Sequence, residues 1–175
     1  MSAVSDTFIE EARSLLTKDY LPKIERCVAL LNDEQIWWRA NPASNSIGNL
    51  LLHLSGNVRQ WIVVGLGGAV DTRNRDAEFA QRDVIPRDEI LRRLRETLRE
   101  ADRTLADFDN QKLLDRFAIQ EMEVSALAAI LHVVEHFSMH VGQVVYITKV
   151  LTASDLHFYD FQGYTALRSF SPSQS

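Results

Sequence analysis

The segment from about Ser125 to Leu151 constrains the fold more than any other part of the chain. Leu127, Ile130, Leu131, Val134, Phe137, Val141, Val144, Val145 and Ile147 recur at the helical period, and they lie nearly all round the helix they predict rather than along one stripe. Such a helix has to be covered on several sides, which places it at the centre of a helical domain. Three further blocks can cover it. From about Asp6 to Leu31, Phe8, Ala12, Leu15, Leu16, Ile24, Cys27, Val28 and Leu31 form an apolar stripe, with Pro22 expected to kink or break the helix. A second block starts at Ser46, a residue suited to an N-cap. It runs through His53 and Trp61 to about Val64, where Gly65-Leu66-Gly67-Gly68 supplies the positive φ that ends helices. Pro86 opens the third, with Ile90, Leu91, Leu94, Leu98, Ala101, Leu105 and Phe108 on one face. No strand ladder stands out between these blocks, so the expected fold class is all-α.

The connectors are polar. Asn32 to Asn45 carries Trp37-Trp38 and the turn pair Asn41-Pro42. Ala69 to Ile85 is too long for a tight hairpin and is expected to cross the bundle. Asp109 to Glu123 leads into the last helix. A chain of 175 residues can bury one core without disulfides or metals. The expected organisation is a single domain over 1–168 and a polar tail over 169–175, with no internal repeat. A net charge of −5 and a pI near 5.5 offer no broad cationic face to a phosphate backbone, which argues against nucleic acid as a partner. Cys27 is the one cysteine, which excludes an internal disulfide and suits a reducing compartment. The N-terminal residues lack the basic start and apolar core of a signal peptide. Apolar stretches such as Trp61 to Val70 fall short of the roughly 20 residues that span a bilayer. The expectation is a cytoplasmic protein without a membrane partner.

Three of the five histidines fall in His132-Val-Val-Glu-His136-Phe-Ser-Met-His140, followed by Val141-Gly142-Gln143. Residues four apart on a helix share a face, with Cβ atoms about 5–6 Å apart, so two such imidazoles can reach one ion at about 2.0–2.1 Å. His53, in Asn49-Leu50-Leu51-Leu52-His53-Leu54-Ser55-Gly56-Asn57 on the second block, is a further candidate. Each four-residue step drifts by about 40°, so His132 and His140 diverge by about 80°. Adjacent pairs, 132 with 136 or 136 with 140, are the workable choices. Three imidazoles, with water or substrate completing the shell, make the open kind of site used in catalytic zinc; imidazole suits nickel, copper and iron as well. An isolated core histidine is ordinarily structural, and it is the constellation that points to metal. Asn57, one turn after His53, and Gln143, three residues after His140, are placed to orient a ligand ring or a water, with plain interhelical hydrogen bonding as the alternative. Glu135 looks like a general base but is rotated about 100° from its ligand neighbour.

Taken together, Ser46-Ile47-Gly48-Asn49-Leu50-Leu51-Leu52-His53-Leu54, the Gly-rich loop with Asp71 and Arg73 to Arg75, and His136-Phe-Ser-Met-His140-Val-Gly142-Gln143 resemble the DinB/YfiT-like family of proposed metalloenzymes over nearly the whole chain. The resemblance implies a four-helix bundle with long crossover loops, often dimeric. In that family one histidine of the second helix and two of an HxxxH on the last bind a divalent metal, which implies His53, His136 and His140 as ligands here. His132 is then left as a core, pocket-lining or supporting histidine. Zinc or nickel is the implied metal. The implied activity is thiol S-transferase-like chemistry on a small-molecule substrate such as a low-molecular-weight thiol, or hydrolysis or isomerisation. A non-catalytic, metal-binding dimer that senses stress or carries metal is the alternative.

Other features read as structural. Gly65 to Gly68 lacks phosphate-loop spacing and follows a helix, so it is a turn. Arg92, Arg93, Arg95, Arg99 and Arg103 alternate with Glu89, Glu96, Glu100 and Asp102, the pattern of a solvated helix face. Cys27 lies on an apolar stripe as a buried thiol, and His157 is expected at the surface. Trp37, Trp38, Trp61, Phe158, Tyr159 and Phe161 are expected to close the core or a dimer face.

Overall fold

The computed structural model describes residues 2–158. The first bundle helix comprises α1 (Ser2–Ser14), a π-helical turn (Leu15–Tyr20) and α2 (Leu21–Ala29). Pro22 neither breaks nor ends it. The π turn directly precedes the proline, and the Leu21 N–H donates to the Leu16 carbonyl five residues back. A locally widened turn tolerates a ring without an N–H where a regular one does not.

A short α3 (Asp33–Ile36), capped reciprocally by Asn32 and Gln35, delivers Trp37 into the core. Trp38 beside it stays 39 % exposed. α4 (Ile47–Val58) begins at the expected cap: the Asn49 N–H donates to Ser46 Oγ, and the Asn49 side chain accepts from the Ser46 N–H. It runs on as a second π turn (Arg59–Val64) and stops at the glycine turn, where Gly68 has φ +72°. The crossover that follows contains α5 (Arg75–Ala80). α6 (Arg87–Ala106) starts after Pro86, and α7 (Ala126–Thr152) is capped by Ser125, whose side chain accepts from the Ala128 N–H. The four long elements form a closed ring in which α4 packs on α6 and α7, α1 on α6 and α2 on α7. Phe137, Ile24, Leu51, Leu54 and Leu94 fill the centre, and the Tyr20 ring stacks on Phe137 at 5.9 Å between centroids.

Two further features depart from the sequence reading. The connector before α7 holds an antiparallel hairpin, β1 (Arg116–Ile119) and β2 (Met122–Ser125), with Arg116 opposite Ser125 and Ile119 opposite Met122. Its two-residue turn, Gln120-Glu121, has φ of 52° and 64°, a conformation ordinarily signalled by Asn-Gly or Asp-Gly, so the usual cue was missing. α7 is also less enclosed than its composition suggests, because Leu131, Met139, Tyr146 and Val150 are each more than half exposed. Their spacing puts them on one side of the helix. The Arg92 and Arg93 pairs with Glu89 and Glu96 form as expected on the outer face of α6. Cys27 is buried, and burial pushes its thiol pKa up against a hydrogen bond from Thr148. Among the described residues no helix is long and apolar enough to cross a membrane. Tyr159, Phe161 and the tail over 169–175 lie outside them.

Gly48, on α4, shows how tightly this end of the bundle is packed. A Cβ there would lie 2.7 Å from ring carbons of Trp37, and that ring is anchored by its Nε1 donating to the Ile85 carbonyl at 3.0 Å. Gly48→Ala should therefore destabilise the fold by about 1–3 kcal/mol through overpacking, although alanine is the better helix former by about 1 kcal/mol. Chemical denaturation of the two proteins reads the sign directly; a more stable alanine variant would show that Trp37 yields.

Candidate metal centre

The seam between α4 and α7 is built from four-residue steps on both helices. His53, Asn57 and Trp61 follow one another along the second bundle helix, and His140, His136 and His132 descend along α7 opposite them. His53 meets His136 and His140, with ring centroids at 4.9 and 5.2 Å, while Trp61 meets His132 at 4.1 Å. Steps of four keep each set on one face.

Within this seam three imidazole nitrogens converge. His53 Nε2 lies 3.1 Å from His136 Nε2, and His140 Nε2 lies 3.2 Å from the same atom. One nitrogen of each of His53, His136 and His140 falls within 4.8 Å of the others. Two nitrogens bound to one tetrahedral ion at about 2.0–2.1 Å would stand about 3.3–3.4 Å apart, so these side chains fit a divalent metal. The outer nitrogens of two of the rings point the same way. His53 Nδ1 lies 3.0 Å from Glu78 Oε2, and His140 Nδ1 lies 2.7 Å from Gln143 Oε1. Both oxygens are acceptors, so the Nδ1 atoms carry the protons and the Nε2 lone pairs face inward. Arg73 Nη2 also lies 3.1 Å from His53 Nδ1, but it donates to Glu78 Oε2 at 2.8 Å. The two nitrogens are near neighbours because both donate to one carboxylate.

Electrostatics supports the same protonation pattern. Burial, reinforced by the neighbouring imidazoles and Arg73, pushes His136 down to about 3. Burial also lowers His140, against its Gln143 hydrogen bond, which favours the protonated ring. At neutral pH these two rings are therefore uncharged, the form a metal requires. Burial alone would raise Glu78, but hydrogen bonds from Arg73 and His53 and the positive charge of Arg73 outweigh it and hold the carboxyl below its usual range. Glu78 is thus a buried carboxylate paired with Arg73 Nε at 2.7 Å and with His53.

The crossover delivers that carboxylate. Asn49, already part of the α4 cap, donates through Nδ2 to the Glu78 carbonyl at 2.8 Å, tying α5 to the first turn of α4. The Phe79 ring packs 4.6 Å from that of His53. Asp71 and Gln60 brace Arg73 from the outside: the Arg73 N–H donates to Asp71 Oδ1, and its Nη1 donates to Gln60 Oε1. Gly56, three residues after His53, leaves the space that Glu78 fills, because a Cβ there would clash with Glu78 Oε1.

Of the remaining sequence candidates, Gln143 contacts His140 as described. His132 stays out of the nitrogen cluster and stacks between Trp61 and His136, 5.4 Å from the latter. Asn57 is buried on the seam with Oδ1 unpaired. Glu135 points to solvent, and His157 is exposed beside Asp155. Glu78 and Gly56 were missed, and Arg73 entered only through the quoted loop. A polar crossover reads as solvated surface, and the available cue was the small Gly56 on the His53 face.

A family model described as "Protein of unknown function (DUF1572)" matches residues 3–160. The chain belongs to the DUF1572 family. No curated protein matches this DUF1572 chain significantly. Among solved structures, it is similar to a DinB-like protein from Bacillus cereus ATCC 10987, with a TM-score of 0.61 and 13 % identity over 75 % of this chain and 85 % of that one. It is also similar to a conserved protein from Enterococcus faecalis, with a TM-score of 0.66 and 14 % identity over 88 % and 98 % of the two chains. At such identities the likeness is one of fold. It bears out the helical-bundle architecture that the DinB/YfiT-like resemblance implies. The three-histidine cluster of this DUF1572 protein is compatible with a bound metal ion.

The outer carboxylate yields a paired prediction. Glu78→Gln removes the charge, and Gly56→Ala displaces the carboxylate without altering any polar group. Each should weaken divalent-metal affinity by about 10–100-fold, as loss of an outer partner does in metal sites. Competition titration against a chromogenic chelator measures it. A Gly56→Ala protein that binds metal as the parent does would show that Glu78 has no part in holding His53.

Proposed function

We propose that this DUF1572 protein is a divalent-metal-dependent enzyme of the thiol S-transferase type, with His53, His136 and His140 as metal ligands through Nε2. The carrying observation is the convergence of those three nitrogens with two of the outer nitrogens tied to acceptors. Zinc or nickel matches an all-imidazole donor set. Three protein ligands leave part of the shell to water or substrate, the arrangement of catalytic rather than structural zinc. The bound metal would supply Lewis acidity, lowering the pKa of a water or a low-molecular-weight thiol. The protein's own part is to hold His136 and His140 neutral by burial, to orient His53 through Glu78 and His140 through Gln143, and to shield one side with the Phe79 ring. We place the protein in the cytoplasm. We also read it as a homodimer joined through an isologous contact, for which the exposed apolar face of α7 offers a surface; light scattering at micromolar concentration that finds monomer alone would remove that part.

One preparation tests the core of the proposal. Protein purified without a histidine tag should carry about one equivalent of divalent metal per chain by elemental analysis. Alanine at His53, His136 or His140 should abolish retention and alanine at His132 should not; loss at His132 with retention at His140 would overturn the ligand set. The metal-loaded protein, given small thiols and a chromogenic electrophile, should then turn over faster than the His136→Ala variant. Equal rates across thiols would reject the transferase reading and leave a non-catalytic metal-binding role.

A further inference from the structure

Among the described residues, the buried side-chain polar atoms without a hydrogen-bond partner are Arg39 Nε, Asn57 Oδ1, Trp61 Nε1 and His136 Nδ1. Three of these belong to the α4–α7 seam. Leaving a buried donor or acceptor unpaired costs about 1–3 kcal/mol, and native proteins leave few such groups. Asn57 and Trp61 are both at least nine-tenths buried, at 4 % and 5 % exposure. The seam also breaks its own pattern at one point: His53 Nδ1 has Glu78 and His140 Nδ1 has Gln143, whereas His136 Nδ1 has nothing.

Position supplies the missing partner. His53 lies opposite His136 and His140, and Trp61 lies opposite His132. Asn57 falls midway in sequence between His53 and Trp61, as His136 falls midway between His140 and His132, which puts the two on facing stretches of the same seam. Chemistry selects the same pair. If His136 offers Nε2 to a metal, its Nδ1 carries the proton and is a donor. Indole Nε1–H can only donate, so Trp61 cannot serve it. Of the unpaired atoms on the seam, Asn57 Oδ1 is the one acceptor, and its two lone pairs can take both Nδ1–H and the indole N–H.

We infer that Asn57 is the positioning residue of His136, its Oδ1 accepting the Nδ1–H when the site holds metal. Each of the three ligands then has its own outer acceptor, a carboxylate for His53 and side-chain amides for His140 and His136. The inference rests on the ligand set proposed above and adds to it the residue that fixes the tautomer of the central histidine. Outer partners of this kind orient the ring and raise its basicity.

The test compares Asn57→Leu, which keeps the size and removes the acceptor, with Asn57→Asp, which keeps the acceptor. Zinc affinity by chelator competition should fall by about tenfold or more in the leucine variant and return to the parent value or better in the aspartate variant. In the zinc-loaded parent, the ring nitrogen–proton NMR spectrum should show a slowly exchanging His136 Nδ1–H, assigned by its through-bond correlations within the His136 ring, and this signal should shift or vanish in Asn57→Leu. That second readout stands even where the aspartate variant fails to fold. A leucine variant that binds zinc as the parent does, with the His136 signal unmoved, overturns the inference while leaving the three-histidine site intact. A parent protein that binds no zinc overturns both.

Discussion

Three imidazole nitrogens whose lone pairs converge inside a helix seam form an arrangement that does not arise by itself. With the protons of His53 and His140 held at Nδ1, two of these nitrogens are acceptors set against the third, on buried or half-buried rings where an unpartnered polar atom is unfavourable. The bundle imposes the arrangement by other means. α4 and α7 pack against each other, and Leu51, Leu54, Phe137 and Val141 on them are buried in the core, so the faces that carry His53, His136 and His140 cannot turn apart without opening the core. A divalent cation bound there would turn the same convergence from a cost into an attraction, and because the unfolded chain has no such preformed site, its binding would add directly to the stability of the fold.

The parts of the molecule that surround the seam can be understood through this requirement. The long crossover between α4 and α6 is no simple tether, since it inserts Glu78 beside His53 and covers that carboxylate with Arg73. A buried ion pair of this kind is seldom a net source of stability, because desolvating both charges offsets their attraction. What it supplies is the orientation of one ring. Gly56 makes room for it, and Asn49 secures α5 from the α4 cap. The two π turns have different settings. Leu15–Tyr20 carries the first helix past Pro22, whereas Arg59–Val64 holds Gln60 against Arg73 and Trp61 against His132. The second belongs to the setting of the histidines, as π-bulges often do at functional sites.

Much of this was legible before any coordinates. The apolar periodicity of four blocks specified the helices, and Ser46, Ser125, Pro86 and the Gly65–Gly68 turn marked their ends, because caps and breakers act locally. The i, i+4 spacing of the histidines placed them on one face for the same reason, and the angular drift along a helix separated His132 from His140. What escaped notice depended on contacts distant in sequence. Glu78 is one acid among many in a polar crossover, and nothing nearby shows that it is buried. The hairpin before α7 turns on Gln120-Glu121, residues that carry no turn signal, and the exposed side of α7 could not be told from its covered sides by composition alone.

X-ray absorption at the metal edge of the zinc- or nickel-loaded protein examines the central claim most directly, because it counts the donors around the ion without reference to activity. The account predicts a shell of three imidazole nitrogens, at about 2.0–2.1 Å for zinc, with the remaining scatterers being light atoms from solvent, and one imidazole fewer in the His136→Ala protein if it can be loaded at all. A shell with one imidazole, or one containing the sulfur of Cys27, would contradict it.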